Sequence, residues 1–213
     1  MSTIAQLRKD VSALVALDEH EHASEYPDLR DRIISALPNI EDTHKSEVVF
    51  LIGYLYYLDP SLEDKTSATP WLTLSSMSQD PHIASISAMY LGHIEYDEGR
   101  YADALRWFES ADPDGLDHDF LRGKLLEFRA CCSIKTLGLD SSIRTIRNYV
   151  EALRLFNDAN DIWPHELAHI LAEAPPSSAA TKNILLQLAR EIDTMSGQDE
   201  WLADIVPAHT AIA

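Results

Sequence analysis

The residues best suited to chemistry lie in one short motif, His165-Glu166-Leu167-Ala168-His169. On an α-helix, residues four apart share a face, so the two imidazoles could bind one zinc ion. The intervening Glu166 could then act as the general base that activates a zinc-bound water. One hypothesis for this chain is therefore a zinc-dependent hydrolase.

A catalytic zinc needs a third protein ligand, and Glu191 is the downstream candidate. The motif resembles the zincin signature, which implies His165, His169 and Glu191 as ligands and the Glu between the histidines as base. The chain departs from that family because Pro164 starts the helix at the motif itself. The alternatives are adventitious metal affinity and a purely structural helix. We favour the structural helix, and we expect no catalytic residue and no required cofactor.

No other motif points to a common enzyme class. Glycines are few and isolated, so no Gly-rich loop could surround a phosphate, and no Ser lies in a Gly-x-Ser-x-Gly turn. Basic residues are concentrated between residues 122 and 154, where they form either a solvated face or a clamp for an acidic peptide end. They are Arg122, Lys124, Arg129, Lys135, Arg144, Arg147 and Arg154.

The charge of the chain restricts its partners. Its 213 residues include 17 Lys and Arg against 35 Asp and Glu, which gives a formal net charge of -18. Nucleic acid and anionic membranes are bound by basic surfaces, so neither is expected as the main partner. An acidic surface instead favours solubility and attraction to a basic protein.

The two cysteines, Cys131 and Cys132, are adjacent and offer no disulfide framework. They lie in an apolar helical pattern, which predicts buried free thiols and a reducing compartment. The first residues, MSTIAQLRKDVSALV, lack the continuous apolar core of a signal peptide, and no stretch has the apolar length of a membrane span. We therefore expect a cytoplasmic protein.

Nearly every segment has the apolar spacing of an amphipathic helix, and no alternating run predicts a strand. The pattern predicts an N-terminal helical cap over residues 1–40, helical repeats over 41–205 and a flexible tail over 206–213. The predicted helices cover residues 4–15, 28–37, 46–58, 69–77, 117–136, 141–157, 164–174, 178–195 and 198–205, with a further pair inside 83–113.

Residues 83–113, IASISAMYLGHIEYDEGRYADALRWFESADP, are the most informative segment. They form two amphipathic stretches joined by a turn around Gly99, with small residues where two helices would touch. The segment resembles one tetratricopeptide repeat, although the early Trp of that family is Ala88 here and the closing Pro comes early, at Pro113. The residues that match the consensus in order and spacing are Leu91, Gly92, Gly99, Tyr101, Ala104, Phe108 and Ala111.

A longer period supports an array of such units. Gly53, Gly92 and Cys131 follow one another at intervals of 39 residues, and the next interval reaches Ile170. Each lies in the first helix of a predicted pair, where a small residue lets the second helix approach. The pattern predicts a divergent helical array, and the alternative is an irregular helical bundle.

The resemblance implies where a partner would bind, because tetratricopeptide arrays bind ligands on the surface formed by the first helices of their pairs. Aromatic side chains dominate the positions that correspond, and protein interfaces are enriched in them. The alternative is that they pack the interior of the superhelix. These positions are Phe50, Tyr54, Tyr57, Met89, His93, Tyr96, Asp97, Phe128 and Lys135.

The sequence as a whole predicts a single-domain, all-α array of antiparallel helical hairpins, a tetratricopeptide-like α-solenoid. The expected function is binding of another protein. The leading hypothesis is an acidic immunity or inhibitor protein that neutralises a basic toxin or enzyme, because opposite charge increases association rate and specificity. The alternatives are a scaffold or co-chaperone adaptor that captures a peptide, and the zinc hydrolase described above.

Overall fold

The computed structural model describes residues 4–17, 22–155, 164–174, 178–197 and 201–208. Within these ranges the protein is built of α-helices with three short 3-10 helices between them, and it has no β-strand, which confirms the all-α prediction. The helices are α1 (Ile4–Val15), α2 (Glu25–Ala36), α3 (Asp42–Leu58), α4 (Thr69–Ser75), α5 (Pro81–Asp97), α6 (Tyr101–Ser110), α7 (Asp119–Leu137), α8 (Leu139–Leu153), α9 (His165–Glu173), α10 (Ala179–Ser196) and α11 (Trp201–Ala208).

The chain divides into two compact units, Met1–Ile94 and Glu95–Ala213. The boundary falls inside α5, and therefore inside the segment that resembles a tetratricopeptide repeat. The small and large residues that the pattern predicts to be packed in that segment are buried, except for the half-buried Tyr101. The buried ones are Ala88, Leu91, Gly92, Ala104, Phe108 and Ala111.

The 39-residue period coincides with burial. Gly53 is buried in α3 and Gly92 in α5. Cys131 in α7 is 0% exposed and Ile170 in α9 is 1% exposed. Each first helix of a predicted pair therefore places its periodic residue in the core of its own unit.

In the first unit, α1 and α2 pack against each other and against α3. Arg8 on α1 binds both carboxylate oxygens of Glu47 on α3. Arg32 on α2 binds Asp10 on α1 at 2.7 Å. The N-terminal helices therefore cover the first helix of the predicted repeat region.

A buried ion pair joins α2 to the end of α3. Arg30 Nη1 donates to Asp59 Oδ2 at 3.0 Å, and the guanidinium lies 3.9 Å from the ring centroid of Tyr56. The other oxygen of Asp59 accepts from the backbone and the hydroxyl of Ser61 at 2.9 and 2.6 Å. Burial raises the pKa of Asp59, but the hydrogen bonds from Ser61 and Arg30 outweigh it and hold that pKa below its ordinary value.

Helix α4 approaches α3 closely at Gly53. A Cβ atom at this position would lie 3.0 Å from Leu72 Cδ2 and 3.1 Å from Trp71 Cβ. The predicted start of this helix, at Thr69 and a proline in the first turn, is observed, and the helix ends at Ser75 rather than at residue 77. The missing side chain of Gly53 is what allows this contact.

In the second unit, one residue, Gly138, separates α7 from α8. Its φ of 79° lies in the left-handed region that favours glycine. Because so short a connection must reverse the chain, α7 and α8 pack as an antiparallel hairpin. Helix α8 therefore begins at Leu139, two residues earlier than predicted, and its predicted end at residue 157 lies outside the described residues.

The remaining helices of this unit pack on the hairpin in order. Helix α9 packs on α7, α10 packs on α8, and α11 packs on both α9 and α10. They share one core around the buried side chains of Ile146, Tyr149, Leu167 and Leu188. The helices of this unit therefore bury their apolar faces against neighbours rather than alone. The last helix continues to Ala208, so the first residues of the predicted tail are helical.

Candidate functional site

The predicted binding residues of the first unit form an aromatic cluster centred on Tyr90. The ring centroids of Tyr54 and Tyr57 on α3 lie 5.2 and 4.8 Å from that of Tyr90 on α5. Phe50 stacks on Tyr54 at 5.6 Å with the ring planes 11° apart. His93 lies one turn beyond Tyr90, at 6.3 Å. These distances are typical of rings that stabilise one another.

The cluster contains both core and surface side chains. Phe50 is 7% exposed and Met89 only 2%, so both belong to the core and neither offers area to a partner. Tyr54, Tyr57 and His93 are half-buried and keep part of their surface accessible. Fewer side chains of this unit are therefore accessible to a partner than the sequence predicts.

Tyr90 itself was not among the predicted positions. The register implied by the resemblance falls at Met89 and His93 on this helix, and Tyr90 lies between them. Tyr90 is three residues from His93, so both lie on one face of α5. This spacing is the signal in the sequence that could have identified Tyr90 as a member of the cluster. Burial raises the pKa of Tyr90, and a hydrogen bond with Tyr54 raises it further. Tyr90 therefore holds the cluster together as a neutral phenol.

The predicted residues of the second unit also contact one another. Tyr96 packs edge-on against Phe128 on α7, with centroids 4.9 Å apart, and against Tyr101 at 5.2 Å. Lys135 Nζ lies 5.7 Å from the Tyr101 centroid and 3.5 Å from Glu173 Oε2. Asp97 is exposed at the end of α5. Tyr96 and Lys135 contact side chains of α9, whereas Phe128 packs against Tyr96 and Phe108.

A buried carboxylate determines where the motif helix begins. Glu127 on α7 is 0% exposed, and its Oε1 accepts hydrogen bonds from the backbone N–H groups of Glu166 and Leu167 at 3.0 and 3.1 Å. Lys124 Nζ donates to the other oxygen at 2.7 Å. Because the first N–H groups of a helix lack partners within it, Glu127 serves as the cap of α9.

Glu166, the hypothetical general base, contacts a side chain of α5. The hydroxyl of Tyr96 donates a hydrogen bond to Glu166 Oε1. Burial and this hydrogen bond raise the pKa of Tyr96, so the phenol keeps its proton. Glu166 thus joins α9 to Tyr96 at the end of α5.

The predicted zinc ligands are not brought together. His169 is exposed and its Nε2 lies 3.5 Å from Glu173 Oε1. Glu191 on α10 instead binds Arg154, and accepts from Gln187 at 3.3 Å. Across the described residues, which include both histidines of the motif, no three His, Cys, Asp or Glu side chains converge to hold a metal ion. His165, His169 and Glu191 therefore do not converge on one metal position in this structure, and Glu191 instead binds Arg154, the residue that follows α8.

Most of the basic residues between 122 and 154 bind groups within the unit. Arg122 donates to the Leu116 carbonyl at 2.8 Å and to Asp119 at 3.1 Å. Arg129 Nε donates to the Phe108 carbonyl at 2.9 Å, and burial lowers the pKa of its guanidinium. These side chains join α7 to the segment before it. Arg144 and Arg147 on α8 are exposed, and the clamp for an acidic peptide end stays a prediction.

Both cysteines are buried free thiols, as predicted. Burial raises the pKa of Cys131, and the charge of Glu127 raises it further. Burial also raises the pKa of Cys132 to about 12. Neither thiol is suited to act as a nucleophile, because that role requires the thiolate.

In the described parts of the chain, no helix has both the length and the apolar composition that a bilayer crossing needs. The resemblance to tetratricopeptide repeats rests on the residues given above. No protein-family model, no curated protein and no solved structure matches this chain.

Proposed function

We propose that this protein binds another protein and acts as an acidic inhibitor, of the immunity type, of a basic toxin or enzyme. The observation that carries the proposal is the charge of the surface. The chain has twice as many acidic as basic residues, with a net charge of -18. Its basic side chains are largely engaged with acidic partners of the same chain, so excess negative charge faces the solvent.

The internal ion pairs account for most of the lysines and arginines. They join neighbouring helices or residues close together in the chain, and each one cancels one positive and one negative charge, so the excess of acidic side chains stays at 18. The pairs are Arg8–Glu47, Arg30–Asp59, Arg32–Asp10, Lys45–Asp42, Arg100–Glu95, Arg106–Asp103, Arg122–Asp119, Lys124–Glu127, Lys135–Glu173 and Arg154–Glu191.

Exposed acidic side chains, paired or not, occur in both units. Such a distribution attracts a basic protein from many directions and raises the association rate, which decreases as salt screens the field. Exposed members are Asp28, Asp31, Glu41, Glu63, Asp64, Asp97, Glu98, Glu109, Asp112, Asp114, Asp117, Asp140, Glu151 and Asp204.

We place a short-range contact at the half-buried aromatic residues of the first unit. Tyr54 and Tyr57 are held in place by Tyr90, so little side-chain entropy is lost when a partner covers them. Rigid tyrosines of this kind are frequent anchors of protein interfaces. We also propose a cytoplasmic, reducing location, which the buried unpaired thiols of Cys131 and Cys132 support.

The test is a tagged pulldown from the source organism, read by mass spectrometry at about 50 mM and about 500 mM salt. The proposal predicts one basic partner that raised salt releases. A control bait carries Glu63→Gln, Glu109→Gln and Glu151→Gln, all exposed positions, and should capture several-fold less of it. Capture of many proteins that share an acidic tail would favour the peptide-capturing adaptor instead. Capture of no partner at low salt would contradict both.

A further inference from the structure

A groove of about 460 Å³ lies between α1 and α2 in the first unit. Leu14 and Leu29 form its apolar floor and are 4% and 6% exposed. Leu17, just after α1, also lines it and is 44% exposed. Leu17 therefore adds exposed apolar surface beside the buried floor.

Acidic side chains surround this floor. Asp10, Glu25 and Asp28 line the groove together with one base, Arg32. Because Arg32 binds Asp10 at 2.7 Å, those two charges cancel. Glu25 accepts from the imidazole of His22 at 2.7 Å, and Asp28 forms no ion pair with any side chain that the structure describes. The groove therefore combines a leucine floor with a net negative rim.

We infer that this groove binds an amphipathic, basic helix of the partner protein. An apolar side chain of that helix would lie between Leu17 and Leu29, and flanking Lys or Arg side chains would face Glu25 and Asp28. Helices bind grooves in this manner through apolar side chains one turn apart. A charged rim favours helices that carry the opposite charge. The inference rests on the proposed function in one respect, that the partner is basic.

The first test uses fluorescence anisotropy with the full chain and a labelled model peptide. The peptide has about 16 residues, with Leu on one helical face and Lys on the other, and its counterpart carries Glu in place of Lys. We expect the Lys peptide to bind and the Glu peptide not to bind. The variants Leu17→Ser and Asp28→Lys should each weaken the Lys peptide about fivefold to tenfold.

Matched controls separate the groove from the overall charge. Glu63→Lys makes the same charge change as Asp28→Lys at another exposed position of the unit, and Leu74→Ser removes another exposed leucine. Both should change the affinity less than twofold, and circular dichroism should show all four variants folded. Equal weakening by Asp28→Lys and Glu63→Lys would overturn the groove, because it would mean that only net charge attracts the peptide.

Measurements with the captured partner show whether this inference or the proposed function fails. If a basic partner is found and its affinity is unchanged by Leu17→Ser and by Asp28→Lys, the groove inference fails and the proposed function stands. If the Lys peptide occupies the groove and no basic partner is captured, the proposed function fails and the groove stands as a binding site.

Discussion

The buried carboxylate of Glu127 on α7 accepts a hydrogen bond from the backbone N–H of Leu167 on α9 at 3.1 Å. The same oxygen accepts from the N–H of Glu166 at 3.0 Å, and Lys124 neutralises the other oxygen. The N-terminus of a helix has unsatisfied donors and a partial positive charge, and Glu127 compensates both. One side chain of α7 therefore fixes where α9 begins and how it is anchored.

Replacing Glu127 should destabilise the second unit strongly. Glu127→Ala leaves two backbone donors and the Lys124 ammonium without their buried acceptor, which costs about 2–4 kcal/mol of unfolding free energy. Urea unfolding followed by far-UV circular dichroism measures this. Glu127→Gln keeps an acceptor for the helix N–H groups and should cost clearly less. Equal stability of Glu127→Ala and the unmodified protein would contradict the cap.

The contact at Gly53 predicts a steric cost. Gly53→Val introduces a branched side chain where even a Cβ would lie 3.0 Å from Leu72, so α4 must move and about 1–3 kcal/mol of stability is lost. Thermal unfolding should show a lower Tm. Ala102→Val, at an exposed position of α6, controls for a branched side chain placed in a helix without crowding. A Tm unchanged by Gly53→Val would mean that α4 does not pack there.

The buried pair of Asp59 and Arg30 predicts a defined pH dependence. Because the folded-state pKa of Asp59 is lowered, its ionised carboxylate stabilises the folded protein. This contribution to the free energy of unfolding is fully present above the ordinary carboxyl pKa of about 3.9. The contribution is lost as the pH falls from that value through the lower folded-state pKa. The difference in unfolding free energy between the unmodified protein and Asp59→Asn should therefore be constant near neutral pH and shrink below about pH 4. A difference that grows on acidification would contradict the lowered pKa.

The two thiols should be protected in the folded state. Burial raises the pKa of Cys132 to about 12, so at pH 8 only about one thiol in ten thousand is ionised, and Cys131 is fully enclosed. We expect a thiol reagent such as dithionitrobenzoate to label neither cysteine in buffer and both in urea. Fast labelling in buffer would mean that the core around α7 opens readily.

Local patterns in the sequence predicted much of the fold. The apolar spacing of α1, the proline near the start of α4 and the proline before His165 each mark a helix from adjacent residues alone. The small residue Gly53 indicated a close helix contact, and the structure places Leu72 against it. These features follow from local chain physics, so the sequence is sufficient for them.

The candidate site was less predictable, because its contacts join distant residues. Glu127 resembles a surface residue on a helix, and only the position of α9 makes it a buried cap. Asp193 acts in the same way for α11, where it accepts from the N–H groups of Leu202 and Ala203 at 3.0 and 2.9 Å. The importance of Tyr90 likewise depends on its contacts with α3. Packing between helices decides all three roles, and only Tyr90 has a local signal in the sequence, its spacing of three residues from His93.

If an acidic surface neutralises a basic partner, both the affinity for that partner and its inhibition must depend on salt. The measurement is the Kd of the purified partner from low to high salt, together with the partner's activity at a one-to-one ratio. We expect an affinity that weakens steeply with salt and a partner activity that is abolished at low salt. A Kd that does not change with salt, or a partner that stays fully active when bound, would contradict it.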